Sequence, residues 1–231
     1  MEGIEVGRMF RAPIILHWSL AIPLVFSVLT LGSYAWVTAA LFAIVVLHEL
    51  GHVAAASWCG MRCVSITLFA LGGLASIQGF ETRGTPVRQL LIALAGPFVN
   101  ILLTFPLYWL MSWSQNPGVA LLLIANIGMV VLNMLPIMPL DGGRAFHSLV
   151  WFFTDRLKSL ALAVRISQAS ALGLGCLSLY YGIYGLAAVM VFSILTAQAE
   201  LDGYRDYLAY EKELQNLREL AGQDQEQAAR R

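Results

Sequence analysis

The sequence predicts an all-α polytopic membrane protein with about six transmembrane helices and a small membrane-associated β-hairpin between helices 2 and 3. Of the 231 residues, 58% are hydrophobic and only 12% are charged, whereas a soluble domain carries about 25% charged residues. The charges are also unevenly placed, because residues 12–47, 89–140 and 166–199 contain no Asp, Glu, Lys or Arg. Since one span takes about 20 apolar residues, we expect a pair of helices in each of these three regions.

The predicted spans follow these charge-free runs in order. They cover residues 14–31, 34–58, 89–111 and 118–137, followed by a last pair that begins near residue 160 and meets near residues 181–184. A cleaved signal peptide is the alternative for the first run, since Arg8 and Arg11 precede it. That run has no convincing small-x-small cleavage site and leads directly into a second span, which favours a retained helix.

The positive charges indicate which side of the membrane each connection faces. The turns near residues 32–33, 112–118 and 181–184 carry no charge. The opposite side carries the basic residues Arg8, Arg11, Arg62, Arg83, Arg88, Arg144, Arg156, Lys158 and Arg165. By the positive-inside rule this side is cytoplasmic. We therefore expect a multi-pass protein of the plasma (inner) membrane with both termini in the cytoplasm.

Residues 63–80 predict the hairpin, because two β-rich runs flank Gly72-Gly73. An uncovered edge strand of this hairpin could receive an extended peptide through backbone hydrogen bonds. A plain connecting loop is the alternative.

The composition changes at Glu200, where leucine and tyrosine begin to recur at helical spacing among charges. This pattern predicts a cytoplasmic amphipathic helix that continues from the sixth span, with a frayed end at residues 222–231. We therefore divide the chain into a six-helix membrane domain, residues 1–199, and a cytoplasmic helix and tail, residues 200–231.

The segment His48-Glu49-Leu50-Gly51-His52 reads H-E-x-x-H and ends a long apolar run. Two histidines four residues apart lie on one face of a helix. Both imidazoles can therefore reach one zinc ion, with Glu49 beside them as a general base. A polar helix end that binds no metal is the alternative. The zinc interpretation indicates hydrolysis of peptide bonds inside or at the edge of the bilayer.

A catalytic zinc needs a third protein ligand and an open position for water. The candidate is Asp141, which is the only acidic residue between Glu81 and Asp155. Gly142 and Gly143 follow it and permit a sharp turn of the backbone. In the predicted topology Asp141 returns to the same side of the membrane as His48 and His52.

The chain resembles the site-2 protease family of intramembrane zinc metalloproteases, from about Arg11 to Ala199. Three motifs in the right order carry the resemblance: His48-Glu49-Leu50-Gly51-His52, Gly96-Pro97-Phe98-Val99-Asn100, and Asn133-Met-Leu-Pro136-Ile-Met-Pro139-Leu140-Asp141-Gly142-Gly143-Arg144. The resemblance implies six helices with a shared three-helix core. It also implies a minimal form of the family, without a PDZ domain or cystathionine-synthase-like domains.

Roles for individual residues follow from matching positions in the family. The resemblance implies that His48, His52 and Asp141 bind one Zn²⁺ per chain, and that Glu49 activates the attacking water. Asn133 is similar to a family asparagine at the active site, which could donate to the oxyanion or orient a substrate carbonyl.

The resemblance also implies the partners. The expected substrate is a single-span membrane protein, of the anti-sigma or pro-sigma factor type, held in the lipid bilayer. A regulatory membrane partner or a homo-oligomer is a further candidate, and no nucleic acid is expected. The alternative function is a catalytically silent protein that binds membrane helices. A transporter is a third interpretation, but the sequence lacks the inverted repeats typical of many transporters.

Two other histidines are interpreted as structural. His17 lies beside Trp18 near the start of the first predicted span, where a packed or interfacial role is expected and a fourth metal contact is the alternative. His147 lies in residues 143–153, for which we expect a short interfacial helix.

Overall fold

The protein is described from a computed structural model, which covers residues 3–9, 12–69, 72–78 and 84–229. The helices in this part of the chain are α1 (Ala21–Leu31), α2 (Ala35–Trp58), α3 (Pro86–Ser114), α4 (Pro117–Asn133), α5 (Asp141–Trp151), α6 (Arg156–Tyr180) and α7 (Tyr184–Ala229). The strands are β1 (Gly3–Met9), β2 (Ala12–His17), β3 (Arg62–Phe69) and β4 (Gly72–Gln78).

The helices confirm the predicted class, a mostly helical multi-pass membrane protein. Among the described residues, α2, α3, α6 and the first part of α7 are long and apolar enough to cross a membrane, while α1 and α4 are apolar but shorter. Many large apolar side chains on these helices face outward, such as Leu29 and Trp113, which are 79% and 78% exposed. Such a surface is stable where lipid is the solvent.

The β-structure is larger than predicted. The hairpin of β3 and β4 is confirmed, but β1 and β2 extend it to a four-stranded sheet in the order β1-β2-β3-β4. β2 pairs with β3 in parallel through residues 14–16 and 66–68. The prediction of a helix from residue 14 was therefore wrong, since residues 14–17 belong to β2 and α1 begins at Ala21. A short apolar run does not distinguish a strand from a helix, and Ile14 and Ile15 are β-branched residues that favour strands.

The other helices lie where the sequence predicts them, although some of their bounds differ. α5 is the short helix expected near His147, although it begins at Asp141. Gly96-Pro97, the start of the second family motif, lies inside an unbroken α3. α7 passes through residue 200 and remains helical to Ala229, through residues expected to be frayed. The division of the chain at residue 199 stays a prediction.

Two groups of helices position the site. α2 packs along α3, and α3 along α4, which together form a three-helix core. α5 packs on both α3 and α6, and the pair α6 and α7 encloses the turn that leads to α5, where Ile137 and Met138 are 1% and 0% exposed. Inside this enclosure the backbone N–H of Met138 donates to Oγ of Ser167 on α6, at 2.7 Å. This hydrogen bond to α6 thus holds the residues immediately before Asp141 in place.

We expect Ser167→Ala to destabilise the protein by about 1–3 kcal/mol, because the buried N–H of Met138 loses its acceptor. Thermal unfolding of the purified protein in detergent measures this effect. Ser170→Ala is the matched control, since Ser170 lies on the same helix and its side chain makes no hydrogen bond to the described residues. Equal melting temperatures for the two variants would contradict the assigned role of Ser167.

Candidate active site

Helix α2 brings the two histidines of the H-E-x-x-H motif together. His48 and His52 are one turn apart, both are buried, and their Nε2 atoms are 3.1 Å from each other. Their rings meet edge to face, with centroids 4.7 Å apart. Glu49, the next residue on the helix, is half-buried beside them. His48 and His52 therefore lie on one face of α2, as predicted.

Asp141 reaches this pair from the first residue of α5. Its Oδ2 lies 3.1 Å from Nε2 of His48, and its Oδ1 lies 3.3 Å from Nε2 of His52. One ligand atom from each of the three residues falls within 4.8 Å of the others. The fold thus brings Asp141 next to two histidines that are about 90 residues away in the sequence, as the predicted topology required.

The glycines after Asp141 make this approach possible. A Cβ on Gly142 would collide with the backbone of Met134 and Leu135, and one on Gly143 would lie 2.6 Å from the Ile137 carbonyl carbon. The start of α5 therefore packs directly on the turn that follows α4. Any larger residue at these two positions would push Asp141 away from the histidines.

The donor set suits a zinc ion. Two imidazole nitrogens and one carboxylate are the ligands of many catalytic zinc sites, which leave a fourth position open. Burial raises the pKa of Asp141, but contacts with His48 and His52 outweigh it and lower the pKa to about 2. The carboxylate is therefore ionised at neutral pH, as a metal ligand must be.

His52 is oriented by a second hydrogen bond. Its Nδ1 lies 2.7 Å from the backbone carbonyl oxygen of Ile92 on α3, so this nitrogen carries the proton and donates it. The lone pair of Nε2 then faces Asp141 and is available to a metal. A backbone carbonyl in this role is typical of zinc-binding histidines.

Gly96 on α3 forms the wall against which both imidazoles lie. A Cβ at this position would collide with Nε2 of His52 and lie 2.7 Å from Nε2 of His48. Gly51 similarly lets α2 approach the carbonyl oxygen of Ala95, which would lie 2.7 Å from an added Cβ. The sequence motif pointed to Gly96 but did not reveal that the residue contacts the histidines.

Gly96→Ala should reduce zinc affinity by at least about 10-fold, because the methyl group occupies space that the two Nε2 atoms need for the metal. Zinc affinity in competition with a chelator measures the effect. Gly128→Ala is the matched control, since Gly128 also lies inside a helix and an added Cβ meets nothing within 4 Å. Equal zinc affinity for the two variants would contradict the close approach.

The other residues considered in the sequence analysis, Asn133, His17 and His147, lie outside the group of three ligands. Asn133 is the last residue of α4, half-buried, just before the turn that packs on Gly142. His17 accepts a hydrogen bond from the backbone N–H of Ser19 and is not part of the metal-ligand group. His147 is buried and stacks on Trp151 with ring centroids 5.9 Å apart. Burial and the nearby charge of Arg156 lower the pKa of His147 to about 4.

Comparison with known proteins agrees with this geometry. A profile of peptidase family M50 matches residues 36–119. The solved structure of the site-2 protease from Methanocaldococcus jannaschii matches with a TM-score of 0.64 and 28% sequence identity, over 87% of this chain and 95% of that one. The chain belongs to peptidase family M50, the site-2 protease family.

Several curated relatives of this M50 member are named as zinc metalloproteases. A putative zinc metalloprotease of Synechocystis sp. is 32% identical over 82% of this chain and 54% of its own length. A zinc metalloprotease of Methanocaldococcus jannaschii is 29% identical over 65% of this chain and 44% of its own length. The chain thus spans about half the length of these relatives. The M50 profile match ends before Asp141, so the geometry is the main support for this third ligand.

Proposed function

We propose that this protein is an intramembrane zinc metalloprotease, which cleaves membrane-anchored regulatory proteins within or near their transmembrane segment. The observation that carries the proposal is the convergence of His48, His52 and Asp141 beside Glu49, buried within a bundle of apolar helices. The names of the relatives and the family support it.

The chemistry follows from the residues around the metal position. Zinc held by His48, His52 and Asp141 would supply a Lewis acid that acidifies water and polarises the scissile carbonyl. Glu49 accepts the proton of the attacking water and returns it to the leaving amine. Asn133, at the end of α4, donates its amide N–H to the developing oxyanion or orients the substrate carbonyl.

The site is proposed to open towards the cytoplasm. His52 lies near the carboxyl end of α2, Ile92 near the start of α3, and Asp141 at the start of α5, so all three are at one end of the bundle. The same end carries Arg88, Arg144, Arg156 and Lys158, which by the positive-inside rule face the cytoplasm. Both termini are then cytoplasmic, in the plasma membrane.

Strand β4 is proposed to receive the substrate. In the described part of the chain β4 pairs only with β3, so its outer edge is unpaired. β4 also packs against α2, the helix that carries the H-E-x-x-H motif. A substrate segment that unwinds can add to this edge through backbone hydrogen bonds. It is then extended, and its peptide bonds are accessible to water.

The proposed substrates are single-span regulators such as anti-sigma or pro-sigma factors, whose soluble part is released on cleavage. A regulatory membrane partner or self-association would then control access. These assignments rest on the resemblance to the family.

The test is cleavage of a single-span anti-sigma-type protein by purified protease in liposomes. We expect a product cut within or next to the span, lost with 1,10-phenanthroline and restored by added zinc. A substrate that co-purifies with the protein but stays intact in the presence of zinc would contradict the proposal, and would favour a silent binding protein.

A further inference from the structure

Four buried polar atoms in the three-helix core have no hydrogen-bond partner among the described residues. They are Nδ1 of His48, Nδ2 and Oδ1 of Asn100, and Oδ1 of Asn126. Asn100 and Asn126 are 0% exposed, and His48 is 4% exposed. Buried polar groups in native proteins are nearly always paired with protein or with ordered water. These atoms therefore indicate an unassigned polar site.

The three residues come from three helices that pack on one another. Nδ2 of Asn126 on α4 donates to the backbone oxygen of Asn100 on α3, at 2.8 Å, and to Oγ1 of Thr104, at 3.1 Å. The side chain of Asn126 thus lies against the backbone of Asn100. Asn100 follows Gly96 by one helical turn on the same face of α3, and Gly96 faces the imidazole of His48.

A histidine that binds a metal through one ring nitrogen needs a hydrogen-bond acceptor for the other, and His48 has none among the described residues. When Nε2 binds a metal, Nδ1 carries the proton and needs an acceptor, which in most sites is a carboxylate, a carbonyl or water. His52 has such an acceptor in the Ile92 carbonyl. A water molecule could accept from His48 and donate to the free amide oxygens of Asn100 and Asn126. It would then make three hydrogen bonds, as buried waters typically do.

We propose that an internal water molecule, bound between His48, Asn100 and Asn126, holds the His48 imidazole in the orientation that binds zinc. Asn100 and Asn126 are then positioning residues, which act on the metal through the water and His48. This inference rests on the zinc site of the proposed function. It gives the polar pair deep in α3 and α4 a role in an otherwise apolar region.

The test compares two substitutions of Asn100 by zinc affinity, measured in competition with a chelator on the purified full chain. Asn100→Leu keeps the number of side-chain heavy atoms but removes the Asn100 amide that binds the water, and should weaken zinc binding about 10- to 100-fold. Asn100→Ser leaves a smaller side chain whose hydroxyl can still bind water, and should weaken binding by no more than about threefold. A role in packing alone predicts the opposite order.

Three further variants sharpen the comparison. Asn126→Leu should also weaken zinc binding. The double Leu variant should lose less binding free energy than the sum of the two single losses, because both residues hold the same water. Ser193→Ala is the control, since Ser193 is a buried polar residue of α7 that donates within its own helix to Val189. It should leave zinc affinity unchanged.

The outcomes separate this inference from the proposed function. Wild-type protein that binds zinc no more tightly than Asn100→Leu would overturn the inference alone, and wild-type protein that binds no zinc would overturn both. If Asn100→Leu does not fold, a crystal structure of the zinc-bound wild type tests the inference instead. Density for a water within hydrogen-bond distance of Nδ1 of His48 and the Asn100 amide is expected, whereas a protein atom packed against Nδ1 would overturn the inference.

Discussion

Glu49→Gln is expected to bind zinc as the wild type does and to lose cleavage by about 100- to 10,000-fold, the usual contribution of a general base. Gln has nearly the same shape as Glu but does not accept a proton from water at neutral pH. The residue is half-buried beside His48 and His52 and is not itself in the group of three ligands. Zinc content and cleavage of a single-span substrate, measured on one preparation, give both quantities.

A matched substitution shows whether the loss belongs to this position. Glu213→Gln removes the same charge from an exposed residue of α7 and should change neither zinc content nor cleavage. Substantial cleavage by purified Glu49→Gln would show that another group takes the proton. A loss of zinc in Glu49→Gln would instead place Glu49 among the metal ligands.

Asp141→Asn should weaken zinc binding by more than about 100-fold and abolish cleavage with it. Loss of a partner that only orients a ligand already costs 10- to 100-fold, and here a directly binding carboxylate becomes a neutral amide. Asp141 is 8% exposed, lies within 3.3 Å of both histidines and is the only acidic member of the ligand group found among the described residues. Chelator competition and metal analysis of the purified variant measure the loss.

The control for this variant is Asp206→Asn, which removes a carboxylate from an exposed position on α7. It should bind zinc like the wild type. If Asp141→Asn also kept one zinc per chain with unchanged affinity, then the two histidines would be using a different third ligand, and the carboxylate of Asp141 would have only a structural role.

Much of the fold follows from local patterns, and its least predictable part is the sheet. The charge-free runs located α2, α3, α4 and the α6–α7 pair to within a few residues, because lipid-facing helices need continuous apolar surface. β2 was not predicted, because it lies in the first charge-free run and is as apolar as a membrane-spanning helix, although it pairs with β3. Strand pairing depends on residues 50 positions away, and an apolar run does not encode it.

The ligand set could be predicted, but the groups that hold it could not. His48, His52 and Asp141 were identified from residue type and spacing, and the structure brings them together. The Ile92 carbonyl that orients His52 is a backbone group and has no signal in the sequence. Ser167 was missed as well, because one serine in an apolar helix does not reveal that it binds the Met138 backbone. Such partners depend on how helices pack.

The most direct test of the zinc site is X-ray absorption spectroscopy at the zinc edge on protein purified without chelator, with metal analysis of the same sample. We expect one zinc per chain, coordinated by two imidazole nitrogens and by oxygen, and loss of this signal in Asp141→Asn. Protein that binds no zinc, or zinc coordinated by sulfur, would contradict the site formed by His48, His52 and Asp141.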